Sequence, residues 1–253
     1  MPLQAKAAVV NVRLLNPDFE YLFFDDTQVE EFIDMHFPEY RSVFDSFHVH
    51  IQRYDFFRYL AVYHFGGFYL DLDVFLASSL ADLSDFGCVF PFEELTIYKF
   101  LRQQYGMDWE IGNYAFGAAA GHPFIDAIIK NCVRAQKSPK WAQAMMRSIP
   151  RMYRKNFYGF CTTGPGLVSR TMAEYPDAAN QIKVLFPKNV CDPTKWRRFG
   201  EYGVHLMEGT WRKRKGILGR RLAAAWISWT RERLLKESLR LGESRSLEFK
   251  KKA

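Results

Sequence analysis

The stretch "RYDFFRYLAVYHFGGFYLDLDVFL", from Arg53 to Leu76, constrains the fold of this chain more than any other. Phe56, Tyr59, Leu60 and Tyr63 recur at i, i+3, i+4 and i+7, the spacing of one helical face. Gly66 and Gly67 end that helix, because glycine takes the left-handed cap conformation at little cost. "FYLDLDVFL" then reads as a strand rich in Phe, Tyr, Leu and Val. Helix, tight cap and strand in succession predict α/β layering rather than an all-β sandwich.

Two acids interrupt that strand. Side chains alternate along a strand, so Asp71 and Asp73 are expected on one side while Leu70, Leu72 and Val74 pack on the other. Paired carboxylates at a partly desolvated strand end raise each other's pKa unless a cation neutralises them. A hard divalent ion, magnesium or manganese before zinc, suits this set, since no cysteine or histidine cluster sits alongside. The plainer alternative is a solvated turn. On the preceding helix Asp55 and Arg58 are three residues apart and therefore neighbours. They form either a local salt bridge worth a few tenths of a kcal/mol or a pair facing the same cleft, with Arg58 answering phosphate charge.

Elsewhere the chain reads as one domain. "NPDFEYLFFDD" suggests a strand emptying into a loop, and "DDTQVEEFIDMHF" a capped helix with Thr27 and acids in its first turn. "GCVFPF" looks like a strand, and Pro123 opens a helix running to about Ala135. "TTGPGLVSRTMAEY" is a loop feeding a helix, and "YGVHLMEGTW" a final strand and turn. No repeat or low-complexity linker divides the chain, so a single domain is expected over 1–211, followed by a basic helical tail over 212–253.

The formal charge of +7 is concentrated in that tail, in "WRKRKGILGRR" and "FKKKA". It is a local feature rather than the footprint of a nucleic-acid-binding domain, and no nucleic-acid partner is expected. Cys88, Cys132, Cys161 and Cys191 lie far apart without a C-x-x-C pair, which argues against a zinc knuckle or redox motif and leaves any disulfide unread. No apolar run reaches the ~18 residues of a spanning helix. As written, the chain reads as soluble or peripheral. In "ILGRRLAAAWISWTRERLL", Leu218, Leu222, Ala225, Trp226 and Trp229 share a helical face among arginines, either an interfacial helix touching a membrane through 216–235 or a helix packed on the domain.

"NPDFEYLFFDD", "YDFFRYLAVYHFGGFYLDLDV", "GNYAFGAAAGHPF", "TGPG" and "YGVHLMEGTW", in that order, resemble glycosyltransferase family 32, DxD-containing enzymes with a GT-A fold that include mannosyltransferases and capsular polysaccharide synthesis proteins. A lone DxD is weak; D-x-x-R-Y, G-G-x-Y-x-D-x-D, an Asn in "NYAFGA" and a late His…Trp together are specific. The resemblance implies a Rossmann-like nucleotide-sugar-binding domain with a mainly parallel central sheet and a divalent cation, manganese first and magnesium second. It also implies retaining transfer of a hexose from a nucleoside-diphosphate sugar, by attack on the face from which the diphosphate leaves. GDP-mannose is the first expected donor, with UDP-galactose, UDP-glucose and UDP-N-acetylglucosamine behind it, and a glycan or glycolipid is the acceptor.

Carried over residue by residue, Asp71, Asp73 and His205 would hold the metal. Asp55, Arg58 and Asp73 would act in catalysis. Asp55, Arg58, Tyr59, Asp71, Asn113, Gly164 and Trp211 would contact substrate, Gly164 within a Thr163–Pro165 loop on the acceptor side. A strand-borne His, a core Trp and an Asx-turn Asn are the ordinary readings of His205, Trp211 and Asn113 without the family.

One departure stands out. The family's usual first strand, of the type "IPKIIHQ", is missing, and only "MPLQAKAAVVNVRLL" precedes "NPDFEY". Either the start lies upstream, or another segment fills the gap, or the donor site is incomplete; an upstream anchor in a eukaryote would imply the Golgi or endomembrane lumen. Two other functions compete: a non-catalytic glycan- or nucleotide-binding derivative of the fold, and a DxD phosphohydrolase, which would want Thr soon after the second Asp where Val74-Phe75-Leu76 stands. A glycosidase fits less, because its carboxylates flank the scissile bond from opposite sides.

Overall fold

Gly66 sets the geometry on which the rest depends. It caps helix α4 (His50–Phe65) with φ 71° and donates its N–H to Val62 O. A Cβ there would meet Ala120 N at 2.8 Å, so a side chain is excluded by both conformation and space. The computed structural model describes residues 1–206 and 217–240.

Before α4 come α1 (Leu3–Leu15), α2 (Asp26–His36) and α3 (Arg41–Ser46). After it come β1 (Gly67–Leu70), β2 (Val74–Leu76), β3 (Cys88–Leu95), α5 (Lys99–Tyr105), β4 (Trp109–Ile111) and β5 (Ala115–Ala118). A helical stretch follows with α6 (Pro123–Lys137), α7 (Pro139–Met145), α8 (Arg154–Thr162), α9 (Pro165–Glu174) and α10 (Ala178–Gln181). The last elements are β6 (Lys183–Leu185), β7 (Arg198–Phe199), β8 (Gly203–His205) and α11 (Ile217–Arg240).

The α/β class is as expected, but the sheet is not mainly parallel. The larger sheet runs β1-β5-β3-β4 with every one of those pairings antiparallel, and only β6 lies parallel beside β3. Parallel pairing needs a long crossover, and the α6–α10 helices between β5 and β6 supply one. Shorter returns such as β3–α5–β4 double back instead.

The expected strand through the two aspartates is also corrected. It is two strands in two sheets: β1 pairs with β5, while β2 joins β8 and β7 in a separate antiparallel sheet. Asp71-Leu72-Asp73 is the turn between them, with Val74 N–H donating to Asp71 O at 3.0 Å. Leu72 is 41% exposed and anchors nothing, whereas Val74 is fully buried.

Two more expectations change. The segment before α2 is irregular rather than a strand, although Asp25 and Gln28 form the capping box that starts α2. The opening residues form α1, which lies against β2: Asn11 accepts from Leu76 N at 2.7 Å and donates to Leu76 O at 3.1 Å, satisfying the strand's edge as another strand would.

The main core gathers α4, α6, α9 and the larger sheet around Tyr59, Phe90, Phe116, Phe124 and Ile128, while a smaller cluster beneath the second sheet holds Val74, Leu80, Leu83 and Phe199. Helix α11 packs on the main core through Trp226, Ile227 and Leu235, with the Trp226 ring 5.9 Å from Tyr153. Leu222 and Trp229 stay exposed, so the apolar face expected to be continuous is divided. Among the described residues no helix is long and apolar enough to cross a membrane, and all four cysteines are free. The domain boundary expected at Trp211 lies outside the described residues.

Candidate functional site

Helix α4 enters the cleft charged. Asp55 and Arg58 are 5% and 3% exposed, so the surface salt bridge allowed by the sequence is instead a buried pair. Arg58 Nη2 lies 3.1 Å from Asp55 Oδ1 and 3.3 Å from Asp71 Oδ1, joining the helix to the DxD turn. Its Nη1 donates to Asn113 O at 2.6 Å, and its guanidinium lies 4.6 Å from the Tyr69 ring. Burial works against the Arg58 charge, but Asp71, Tyr69 and Asp55 together raise its pKa further. Burial raises the Asp55 carboxyl, only partly opposed by Arg58 and Thr163.

Asn113, Tyr59 and Thr163 complete this knot. Asn113 Nδ2 donates to Asp55 Oδ1 at 3.1 Å and to the Tyr59 hydroxyl at 2.8 Å. That hydroxyl donates to Thr163 O at 2.7 Å, and Thr163 Oγ1 donates to Asp55 Oδ2 at 2.9 Å. The "TGPG" loop therefore reaches the site through Thr163, while Gly164 caps α9 and lines the cleft wall. A Cβ on Gly164 would lie 3.0 Å from Phe160 Cα, so the tight α8–α9 turn needs a small residue there.

The DxD turn and β8 form the second part. In the β2–β8 ladder His205 stands opposite Val74, which sets His205 Nε2 3.3 Å from Asp73 Oδ1. Asp71, Asp73 and His205 each offer one ligand atom, and those atoms lie within 4.8 Å of one another. Two carboxylates and an imidazole at that spacing fit a divalent cation such as manganese or magnesium. The turn does what strand alternation was expected to do: it aims both carboxylates at one point.

Three groups were overlooked in the sequence. Tyr69 donates its hydroxyl to Asp71 Oδ1 at 2.6 Å, fixing the orientation of that carboxylate. Tyr114 accepts from Asp71 N–H through its carbonyl, and its ring stacks on His205 with centroids 4.3 Å apart. Both lie inside motifs already singled out, one residue from Leu70 and from Asn113. Glu93, Glu94 and Glu110 form the third group, also lining the cleft. Adjacent acids in the apolar strand "CVFPFEEL" carry the same signal as the DxD. Trp211 lies outside the described residues, so its expected substrate contact stands only as a sequence reading.

Residues 2–90 match the family described as the glycosyltransferase sugar-binding region containing the DXD motif. Over 120 residues the chain is 33% identical to inositol phosphoceramide mannosyltransferase 3 of Schizosaccharomyces pombe, covering 47% of this chain and 30% of that protein. It is 30% identical over 132 residues to an uncharacterized glycosyltransferase of Acanthamoeba polyphaga mimivirus, covering 52% and 49%. With a mannosyl phosphorylinositol ceramide synthase of Saccharomyces cerevisiae it shares 29% over 124 residues, covering 49% and 30%. The matches thus span less than half the length of these relatives. Among solved structures, the PaToxG glycosyltransferase aligns over 69% of this chain and 64% of its own at 12% identity and a TM-score of 0.44.

Proposed function

We propose, from the premise that this chain belongs with the glycosyltransferases whose sugar-binding region contains the DXD motif, that it transfers a hexose from a nucleoside-diphosphate sugar to a hydroxyl of a glycan or glycolipid. The observation carrying this reading is the convergence of Asp71, Asp73 and His205 beside the buried Asp55–Arg58–Asn113 knot. A cation-binding set and a hydrogen-bonding set share one cleft, as a charged diphosphate and a neutral sugar require. Mannose is the first donor sugar on this reading; the names of several relatives describe mannosyl transfer to inositol phosphoceramide.

In the transfer, the anomeric carbon loses its bond to the diphosphate oxygen and gains one to the acceptor oxygen, whose proton passes to the departing diphosphate. Asp71, Asp73 and His205 would hold a divalent cation, which would supply positive charge where the leaving oxygen becomes negative. The chain's own residues do the rest. Arg58 adds a second positive charge beside Asp71, held by three partners and therefore needing no reorganisation during the reaction. Asp55 and Asn113 offer a carboxylate and an amide to the sugar hydroxyls, and the hydrogen bonds from Thr163 and Asn113 fix the orientation of Asp55. No covalent nucleophile is assigned, and attack from the face of departure remains the stereochemical proposal.

The test is a panel of nucleotide sugars with manganese, followed by mass spectrometry for free sugar or glycosylated acceptor. Release of hexose from GDP-mannose or another member, abolished by EDTA, is expected. A folded chain that binds nucleotide sugar without turnover would favour the non-catalytic alternative.

A further inference from the structure

A second polar centre in the cleft is not used by the donor-side residues. Glu94 pairs with Arg197 from the β7 strand's approach and with Arg231 of α11, so one carboxylate is held by two guanidiniums. Its neighbours are less satisfied. Glu110, opposite Glu94 in the β3–β4 ladder, is 4% exposed, and its Oε1 has no hydrogen-bond partner. Glu93 lies 3.6 Å from Arg197 through Oε1, while its Oε2 is buried without a partner. The Tyr114 hydroxyl, on a residue 3% exposed, is likewise unpartnered. All of these residues line the cleft.

Buried polar atoms cost free energy when nothing satisfies them, so such a cluster is strained without a ligand. Gly112 keeps it open: a Cβ there would meet Glu93 Oε2 at 2.6 Å and Tyr114 Cε1 at 2.5 Å. Both guanidiniums here already answer Glu93 and Glu94, so a diphosphate would have to compete with those carboxylates for them. Unused acceptor atoms beside a phenol donor suit several hydroxyls on one ring instead. Tyr114 fixes the position of the cluster: its ring stacks on His205, and its ring edge and Glu93 Oε2 both border the space beside Gly112. The cluster therefore adjoins the donor-side residues without sharing them.

We propose that Glu93, Glu110 and Tyr114, framed by Glu94, Arg197 and Arg231, form the acceptor subsite, binding a polyhydroxylated ring (a sugar or a cyclitol) through its hydroxyls. The proposal rests on the glycosyl-transfer reading and assigns the residues that receive the second substrate. Helix α11 contributes one wall through Arg231.

The test uses the full chain with manganese and whichever nucleotide sugar it hydrolyses, and adds methyl α-mannoside, methyl β-galactoside or myo-inositol. In the wild type at least one of these accepts the sugar or slows donor hydrolysis by occupying the subsite. In E110Q and E93Q the concentration needed for that effect rises about fivefold or more, because an amide NH2 stands where a carboxyl oxygen met the substrate hydroxyl, while donor KM is unchanged. Equal polyol effects in the variants, a rise in donor KM matching the polyol change, or no polyol effect in the wild type would overturn the subsite. Absence of any donor hydrolysis in the wild type is a different failure: it overturns the glycosyl-transfer reading, and the subsite with it.

Discussion

His205 Nε2 stands 3.3 Å from Asp73 Oδ1 because β8 pairs with β2 in a register that sets His205 opposite Val74. The candidate cation set is thus brought together by the DxD turn and strand pairing, and its loss need not unfold the domain. H205A removes one of the three candidate ligands and should weaken manganese binding at least about 10-fold, the lower bound for losing a group that merely orients a ligand. Calorimetric titration of the metal alone measures this. Unchanged affinity would remove His205 from the set.

Arg58 makes a different prediction, because it is buried between two carboxylates. R58A leaves the buried Asp55 without its cation and should cost about 3–5 kcal/mol of stability, as breaking one side of a buried pair does. Denaturant unfolding gives the value. A cost below about 1 kcal/mol would mean that the pair behaves as an exposed bridge.

The acidic cluster predicts a pH dependence. Burial, then the neighbouring Glu94 charge, raise Glu93 from its usual 4.5 to about 7 and Glu110 to about 8. Folded-state values above the unfolded ones mean that the folded chain holds extra protons between those limits. Their contribution to stability is therefore complete below the usual carboxylate range and is lost as pH rises through about 7 and about 8. The decline should be no steeper than about 1.4 kcal/mol per pH unit for each proton. E110Q should flatten it. Urea unfolding across that range checks the sign, and stability rising with pH there would contradict it.

The α1–β2 junction can be tested separately. N11A removes both bonds to Leu76 and leaves a strand N–H unpaired, costing about 1–3 kcal/mol. Hydrogen exchange at Leu76 should accelerate while that of Phe116, in the other sheet, stays slow.

The sequence made α4 legible because a glycine pair ended a clear helical period, and Pro123 and Gly164-Pro165 announced α6 and α9 for similar local reasons. Strand direction was not legible. Whether β3 runs antiparallel to β5 depends on how the chain returns in space, and three- and four-residue strands carry too little pattern to show it. Asp71 and Asp73 were readable as a pair, but not as a turn between two sheets, because the choice of partner by Val74 is made far away at Gly203–His205. Tyr69 enters the site through one hydrogen bond and Thr163 through two, and no spacing encodes these. Glu93 and Glu110 were not singled out in the sequence, because it is the β3–β4 ladder that gathers them.

Nucleotide binding with and without metal decides whether Asp71, Asp73 and His205 present a cation to a diphosphate. Calorimetry of GDP and UDP against the wild type and D73N, with manganese and then with EDTA, is the measurement. One nucleotide should bind the wild type only with manganese, and D73N should lose this binding while keeping its melting temperature. Equal affinity in EDTA, or manganese-dependent binding that survives in D73N, would contradict it.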